Sequence, residues 1–254
     1  MVHETATRGE PDLAKVAAAI GEAGRARILN ALGDGRALPA SVLAREAGVA
    51  PSTASAHLGR LVGAGLIVAE ASGRHRYYRL AGPAVAQALE ALASLAPPEP
   101  VRSLRAATQA AALRRARACY DHMAGRLGVE VMAVLLARGH LAGGDGRHDQ
   151  ARARLDKYSG AGRDFMYAVT EVGERFFTDF GLDLGRRPTV RYCVDWTEQR
   201  HHLAGGLGSQ LLDRFLELGW VRRVAVGRAL LVTEPGLSGV GRAFGIEARA
   251  IRGE

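Results

Sequence analysis

The chain has 254 residues, 48% of them hydrophobic, which is enough for two or three small domains with buried cores. Its net charge of +8 is compatible with a polyanionic partner. No apolar run approaches the roughly 20 residues that span a bilayer, and the first residues lack the apolar segment of a signal peptide. Two cysteines are too few for a disulfide framework. We therefore expect a cytoplasmic protein with reduced thiols and no membrane partner.

The segment Ala40–Leu80 has the order of elements expected of a winged helix-turn-helix. A short amphipathic helix is predicted to end at Gly48, because glycine readily adopts the left-handed conformation that follows a helix. Pro51 suits the first turn of a second helix, where its missing N–H is tolerated. Apolar residues recur in this helix at three- and four-residue spacing, and we expect them to face the core: Ala54, Leu58 and Leu61.

A β-hairpin is predicted directly after the second helix. Leu66 to Val68 favour a strand, Ser72 and Gly73 favour a tight turn, and His75 to Leu80 favour a returning strand. We therefore expect a protein that is mainly α with small β-hairpins. A winged helix-turn-helix DNA-binding domain is predicted over residues 1–96, followed by a helical C-terminal region.

The predicted outward face of the second helix carries side chains that suit base recognition, because hydroxyls and an imidazole can exchange hydrogen bonds with base edges. The candidates for base contacts are Ser52, Thr53, Ser55 and His57. The candidates for contacts with the DNA backbone are Arg60, Arg74 and Arg76. The alternative is a solvated helix surface and a charged strand edge that blocks strand pairing. The complete order of helices and wing favours DNA binding.

Three segments, GEAGRARILNAL, STASAHLGRLVGAGLI and GRHRYYRL, resemble the arsenical-resistance-repressor (ArsR/SmtB) type of winged-helix regulators. The resemblance covers Leu13 to Leu95. It implies a homodimer that binds a palindromic operator in double-stranded DNA and represses transcription until an effector releases it. It also implies that the four base-contact candidates read the operator and that the three arginines hold its backbone.

The sequence departs from this family at the positions of its best-known metal sites. The segment ALPASVLAREAG contains no cysteine, and the helix predicted after the wing, PAVAQALEALASL, contains one carboxylate and no histidine. The resemblance therefore does not imply metal sensing at those positions. No cofactor is expected to be required for DNA binding.

The prolines within Ala96–Pro100 mark the end of the first domain, because consecutive prolines cannot continue a helix. Residues 97–118 are predicted to form a linker and a dimerisation helix that starts near Arg102. The apolar stripe of this helix comprises Leu104, Ala107, Ala111, Ala118 and Met123. The alternative is a helix that packs within one chain.

The C-terminal part contains an internal repeat, predicted as two degenerate winged-helix-like units over residues 119–185 and 186–254. HMAGRLGVEVMAVLLARGHL, from His122, aligns without gaps to HLAGGLGSQLLDRFLELGWV, from His202. Thr170 and Thr233 are predicted as helix N-caps, and Gly181 and Gly245 as helix ends. The glycine- and charge-rich segment Gly143–Gly162 is predicted to be a loop inside the first copy.

Each copy begins with residues that could carry chemistry. The candidates for an effector or metal site are Cys119, His122, Cys193 and His202. Cys119 and His122 would share a helix face at i, i+3, and two thiols with two imidazoles could hold a thiophilic metal tetrahedrally. The alternatives are a redox pair, an effector pocket that includes Tyr120 and Trp196, or ordinary buried residues.

A hydrolase is disfavoured because no glycine-rich nucleophile turn or phosphate loop accompanies these residues. Two functions of different classes therefore remain. The sequence favours a DNA-binding repressor whose C-terminal region binds a small-molecule or metal effector. The alternative is an interaction or scaffold module whose winged helices no longer bind DNA.

Overall fold

A computed structural model describes residues 10–73, 75–97, 100–148, 167–185 and 190–253. The fold class predicted from the sequence is confirmed, since helices predominate and the strands form short antiparallel pairs. The helices are α1 (Leu13–Ile20), α2 (Ala23–Ala31), α3 (Ala40–Ala47), α4 (Pro51–Gly63), α5 (Pro83–Leu95), α6 (Leu104–Arg115), α7 (Gly125–Ala137), α8 (Glu171–Asp179), α9 (Gly205–Glu217), α10 (Glu234–Phe244) and α11 (Ala248–Arg252).

The strands are short and pair antiparallel. They are β1 (Leu38–Pro39), β2 (Ile67–Ser72), β3 (His75–Leu80), β4 (Arg117–Cys119), β5 (His122–Ala124), β6 (Leu141–Gly143), β7 (Tyr167–Val169), β8 (Arg191–Val194), β9 (His201–Ala204), β10 (Val221–Arg223) and β11 (Leu230–Val232). Among the described residues, no helix is long and apolar enough to cross a membrane.

The chain divides into two compact units. Unit 1 comprises the described residues up to Leu29 together with Ala37–Ala81, and unit 2 comprises Asn30–Arg36 and the described residues from Gly82 onward. The helix α5 therefore groups with unit 2, whereas the sequence placed it in the domain that ends at residue 96. This grouping follows from its contacts, because Glu90 of α5 forms an ion pair with Arg228 in unit 2.

Unit 1 is the winged helix-turn-helix predicted from the sequence. Its sheet has the strand order β1-β3-β2, and Ile67 pairs with Leu80 where the hairpin joins the core. Gly48 ends α3 in the left-handed conformation, with φ 68°, and Pro51 opens α4. The buried residues of α4 include the three predicted core residues, Ala54, Leu58 and Leu61.

Unit 2 contains the order hairpin, helix, hairpin, helix twice. The first set is β4-β5, α7, β6-β7 and α8, and the second is β8-β9, α9, β10-β11 and α10. Thr170 and Thr233 cap α8 and α10 as predicted, each accepting a 3.0 Å hydrogen bond from the backbone N–H three residues later. The proposed relation of each set to a winged helix stays a prediction.

The helices α7 and α9 each contribute four buried residues to the core of unit 2. Their buried residues pack with a cluster of phenylalanines from α8, α9 and α10: Phe177, Phe215 and Phe244. Of the predicted loop Gly143–Gly162, residues 149–162 lie outside the described residues.

The helix predicted from Arg102 through Met123 is shorter than expected. It ends at Arg115, and Ala118 and Met123 lie in β4 and β5. Of the predicted apolar stripe, Leu104, Ala107 and Ala111 on the helix are exposed, whereas Ala118 and Met123 are buried in the core of unit 2. The helix stops because the following residue takes up extended backbone and Arg117 enters the core as part of a strand.

Candidate functional site

The first turns of α4 present hydroxyls to solvent. Ser52, Thr53 and Ser55 are exposed, as the sequence predicted for a base-reading face, and Ser55 donates a 3.0 Å hydrogen bond to the carbonyl of Pro51. Among the described residues, no side chain caps the N-terminus of α4. Its first backbone N–H groups and the positive end of the helix dipole therefore remain available to a phosphate.

His57 does not lie on this outward face, which corrects the sequence-based prediction. It is buried, and its Nε2 lies 3.3 Å from Oε2 of Glu22, which in turn accepts hydrogen bonds from the N–H groups of Gly24 and Arg25. The helical spacing alone could not reveal this contact, because the partner carboxylate lies far upstream in the sequence. His57 therefore supports the packing of α4 rather than a base contact.

The structure describes two of the three arginines that were predicted to hold the DNA backbone, and both are exposed. Arg60 is exposed on the last turn of α4, and Arg76 is exposed on β3 of the wing. Arg74 lies outside the described residues. The wing is further braced by a 2.6 Å ion pair between Arg79 and Glu70 on its two strands.

The four predicted effector or metal residues come together in unit 2. We call Cys119, His122, Cys193 and His202 the cysteine–histidine cluster; its ligand atoms all lie within 4.8 Å of one another, and all four residues are buried. Cys119 and His122 do not share a helix face as the sequence predicted, because both lie in the β4-β5 hairpin. Instead, each cysteine is the direct cross-strand partner of a histidine, in β4-β5 for the first pair and in β8-β9 for the second.

Tight packing of the two hairpins explains why these pairs meet. The imidazole rings of the cluster stack with centroids 5.2 Å apart. Gly128 of α7 and Gly208 of α9 lie against this stack, since a Cβ on them would lie 3.4 Å from Cβ of His202 and 3.1 Å from Cβ of His122, respectively. The repeated glycines of the sequence thus leave room for the histidines.

Two carboxylates adjoin the imidazoles of the cluster. Oδ1 of Asp121 lies 2.9 Å from Nδ1 of His122, and Oδ2 of Asp195 lies 3.9 Å from Nδ1 of His202. The backbone N–H of Gly125 and the guanidinium of Arg117 donate hydrogen bonds to Asp195 at 2.6 and 3.0 Å. Sequence reasoning missed Arg117, because a charged residue in an alanine- and arginine-rich segment gives no local sign of complete burial.

Burial and neighbouring charges shift the pKa of several of these groups. Hydrogen bonding to Cys193, followed by burial, raises the pKa of the Cys119 thiol to about 12. Burial lowers the pKa of His122, but the charges of Cys119 and Asp121 outweigh burial and raise it to about 10. Burial also raises the pKa of Asp195, but the positive charges of Arg117 and His202 hold it well below the usual range.

Tyr120 and Trp196, which the sequence suggested as lining an effector pocket, occupy a tight turn and a packing contact, respectively. Tyr120 occupies the two-residue turn between β4 and β5 with φ 60°, a left-handed conformation that is uncommon for a bulky residue. The guanidinium carbon of Arg117 lies 4.6 Å from the centre of the Trp196 ring, so the indole packs on a buried cation. Trp196 therefore has a packing role beside the cluster.

Comparison with known proteins identifies the N-terminal unit and the chain as a whole. A helix-turn-helix domain model matches residues 23–69. The chain is 38% identical over 231 residues to the uncharacterized HTH-type transcriptional regulator YdfF of Bacillus subtilis strain 168, a match that covers 89% of this chain and 94% of the relative. The chain belongs to the helix-turn-helix transcriptional regulators. This regulator binds DNA, and the scaffold alternative is disfavoured.

Two solved structures are similar to part of this regulator. One is the homodimeric winged helix-turn-helix DNA-binding domain Mb0332 of Mycobacterium bovis, a possible ArsR-family regulator, with 32% identity, a TM-score of 0.30, and coverage of 35% of this chain and 88% of that chain. The other is the cadmium metal-sensor CMTR of Mycobacterium tuberculosis, with 37% identity, a TM-score of 0.29, and coverage of 37% and 100%.

Proposed function

We propose that the regulator is a repressor that reads its operator as a homodimer through α4 and the wing, and that an effector bound in unit 2 releases the DNA. The observation that carries the DNA-reading part is the exposed hydroxyl face at the open N-terminus of α4. Short hydroxyl side chains there can reach base edges in the major groove. Arg60 and Arg76 supply positive charge for the flanking phosphates.

The operator contacts can be tested with a duplex that carries the promoter of the regulator's own gene. We expect Ser52→Ala and Ser55→Ala each to lower affinity for this duplex by about 10- to 100-fold, the cost of a lost base contact. Affinity for unrelated DNA should not change. We expect Arg60→Ala to weaken binding to both duplexes equally and to reduce the slope of the salt dependence by about 1.

The control for Ser55→Ala is Thr108→Ala on α6. Both hydroxyls are exposed and donate to the carbonyl four residues earlier, at 3.0 Å for Ser55 and 2.9 Å for Thr108. Thr108→Ala should leave operator affinity unchanged. Equal discrimination in the wild type and both α4 serine variants would overturn the assigned reading face, and failure of the wild type to prefer its promoter would return the scaffold alternative.

Exposed apolar side chains support the homodimer. Leu13 on α1 is 77% exposed. On α5, Leu95 is 81% exposed, and Leu92 is exposed as well. A second copy that covers these residues would remove apolar surface from water. We expect the wild type to sediment as a dimer and Leu92→Lys/Leu95→Lys to sediment as a monomer with weaker operator binding. The same change at exposed Val172 of α8 should preserve the dimer, and an unchanged dimer in the double leucine variant would exclude α5 from the interface.

A continuous set of contacts supports an effector role for unit 2. Two residues separate the end of the wing from the start of α5, and Glu90 of α5 forms a buried ion pair with Arg228. The backbone carbonyl of Arg228 accepts a 2.8 Å hydrogen bond from Ala118, the neighbour of Cys119. A change at the cysteine–histidine cluster can therefore reach α5 through β4 and Arg228.

A further inference from the structure

The cysteine–histidine cluster combines two ligand types that bind the same class of metal. Cysteine sulfur and histidine nitrogen are the donors of tetrahedral zinc sites. In such a site, neighbouring ligand atoms lie about 3.3 to 3.8 Å apart, as follows from the usual metal–ligand bond lengths. The atoms of the cluster, within 4.8 Å of one another, need move by no more than about 1 Å to reach these separations.

The imidazoles of the cluster have buried nitrogens that lack hydrogen bonds. Within the part of the chain that the structure describes, Nε2 of His122 and both ring nitrogens of His202 are buried with no hydrogen-bond partner. Each such group loses its hydrogen bonds to water without replacement when it stays unsatisfied in a protein interior, which disfavours the folded state. A metal ion coordinated by one nitrogen of each ring would give a partner to Nε2 of His122 and to one of the two unpaired nitrogens of His202.

The carboxylates beside the cluster orient the histidines for coordination. Asp121 contacts Nδ1 of His122 at 2.9 Å, which leaves the unpaired Nε2 of that ring available to a metal ion. Metal-binding histidines commonly place the second ring nitrogen against a carboxylate in this way, which fixes the tautomer and ring orientation. Asp195 lies on the Nδ1 side of His202 at 3.9 Å and is itself fixed by Arg117.

The charges around the cluster are balanced in the presence of a divalent ion. Two thiolates and two neutral imidazoles neutralise one divalent cation, so the occupied site carries no net charge. The nearby buried charges are themselves paired, Arg117 with Asp195 and Arg228 with Glu90. An uncompensated charge at this depth would be costly, so the surroundings favour a divalent rather than a trivalent ion.

We propose that the cysteine–histidine cluster binds one thiophilic divalent cation of the zinc class in a closed tetrahedral site that joins the β4-β5 and β8-β9 hairpins. Four protein ligands and full burial leave no open coordination position, which is typical of structural and sensing sites rather than catalytic ones. The site lies in unit 2, outside the winged helix. It stands independently of the repressor proposal, because metal binding can be measured without DNA.

A disulfide between the two cysteines is the main competing chemistry. Cys119 and Cys193 form no disulfide in the structure. A disulfide would leave without partners the two imidazole nitrogens that a metal ion would engage. The unpaired nitrogens therefore favour a metal over a redox pair.

Metal binding can be tested on the full-length wild-type protein, reduced and stripped with a chelator under anaerobic conditions. We expect Co²⁺ to bind at one equivalent per chain with the intense visible bands of tetrahedral coordination and a sulfur-to-cobalt charge-transfer band. Zn²⁺ should displace it. X-ray absorption of the zinc-loaded protein should report two sulfur and two nitrogen ligands. Octahedral coordination, sulfur-free coordination or the absence of stoichiometric binding would overturn the proposal.

Substitutions can distinguish the residues that bind the metal from the residues that only lie near it. We expect Cys119→Ser/Cys193→Ser to lose the charge-transfer band and more than about 100-fold of the affinity for Co²⁺. Asp121→Asn, at a half-exposed position, should lower this affinity by about 10- to 100-fold and leave the spectrum tetrahedral, as expected of a positioning residue. His140→Asn, a buried histidine of unit 2 outside the cluster, is the control and should bind Co²⁺ normally.

The same variants can also contradict the proposal. Unchanged Co²⁺ affinity in the double cysteine variant, or an equal loss in the His140 control, would contradict the assigned ligands. If the double cysteine variant fails to fold, the wild-type X-ray absorption result decides by itself. Failure of DNA release with an intact tetrahedral spectrum would refute the effector role alone and leave the metal site in place.

Discussion

The polar side chains of α4 divide between solvent and the core of unit 1. Ser52, Thr53 and Ser55 are exposed, whereas His57 is buried beside Glu22 and packs against Gly24, where a Cβ would lie 3.0 Å from its Nε2. Residues on one helix can therefore serve opposite purposes at adjacent positions. The division predicts different consequences for their replacement.

Replacing His57 by Ala should lower stability without changing base discrimination. The change removes a buried side chain and its contact with Glu22, and we expect a loss of about 1–3 kcal/mol in the free energy of unfolding of unit 1. Denaturant unfolding of the full-length protein measures this loss, and competition between promoter and unrelated DNA measures discrimination. Ser55→Ala is the matched variant, with the opposite result expected. A stable His57→Ala protein that loses discrimination would restore His57 to the reading face.

Glu22 should make the stability of unit 1 sensitive to acid. Hydrogen bonds from the backbone N–H groups of Gly24 and Arg25 hold the pKa of Glu22 below its ordinary value. The charged carboxylate is thus favoured by folding, so its stabilisation is present above the unfolded pKa and is lost as pH falls through the folded one. Between about pH 5 and pH 3, the melting temperature of Glu22→Gln should fall less steeply than that of the wild type. Equal slopes would contradict this assignment.

At the scale of elements, the first turns of α7 and α9 are shaped by close backbone approach. A Cβ on Gly128 would lie 2.6 Å from the carbonyl oxygen of Met123, and one on Gly208 would lie 2.6 Å from that of Leu203. These carbonyls belong to strands β5 and β9, which carry the histidines of the cluster. Both glycines therefore set the distance between each helix and the hairpin before it.

Alanine substitutions in these helices should differ sharply by position. We expect Gly128→Ala and Gly208→Ala to destabilise unit 2 and to weaken Co²⁺ binding, because the backbone carbonyl next to each new methyl group must move. Gly206→Ala on α9 is the control, since a Cβ there meets nothing within 4 Å. It should be neutral or stabilising by up to about 1 kcal/mol, as glycine is a poor helix former. Equal effects at all three positions, measured by thermal unfolding, would contradict the close packing.

Elements whose signals are local could be predicted from the sequence, and contacts between distant segments could not. The end of α3, the start of α4 and the caps of α8 and α10 depend on Gly48, Pro51, Thr170 and Thr233, which act on their immediate neighbours. The β4-β5 hairpin was mistaken for helix because its strands have three residues and its turn places Tyr120, not glycine, at positive φ.

The cluster residues were nevertheless predicted together, because the internal repeat aligned His122 with His202. What the repeat could not supply was their cross-strand pairing with the cysteines or the polar support around them. Arg117 and Asp195 are 78 residues apart and meet only in the folded unit 2. Long-range pairs of this kind leave no periodicity in a single sequence.

At the scale of the whole molecule, the chain runs from the wing to its C-terminal region through α5. The wing strand β3 ends at Leu80 and α5 begins at Pro83, so only two residues separate the two elements along the chain. Within unit 2, Glu90 and Arg228 are the charged contact that ties α5 to the region of β4. If the proposed effector acts through α5, we expect the loss of this ion pair to interrupt its coupling to DNA binding.

Replacing one partner of this ion pair should be more damaging than replacing both. Glu90→Leu leaves Arg228 buried without its carboxylate, and we expect a loss of about 3–5 kcal/mol in the stability of unit 2. Glu90→Leu/Arg228→Met replaces the pair by apolar groups of similar volume and should recover most of this loss. Denaturant unfolding of the two single variants and the double variant forms the cycle that measures the coupling. Additive losses would show that the two residues do not act as a pair.

The same double variant tests coupling between metal and operator. In the wild type, saturating Zn²⁺ should weaken binding to the promoter duplex by about 5- to 150-fold, the usual range of allosteric coupling. The double variant should bind Co²⁺ normally, and in its metal-free form it should bind the promoter duplex normally. Saturating Zn²⁺ should change its affinity for this duplex by less than about 2-fold, because α5 is no longer tied to β4. An undiminished Zn²⁺ response would place the route elsewhere. A wild type that ignores Zn²⁺ while its tetrahedral spectrum is intact would make the metal a structural element of unit 2 rather than the signal.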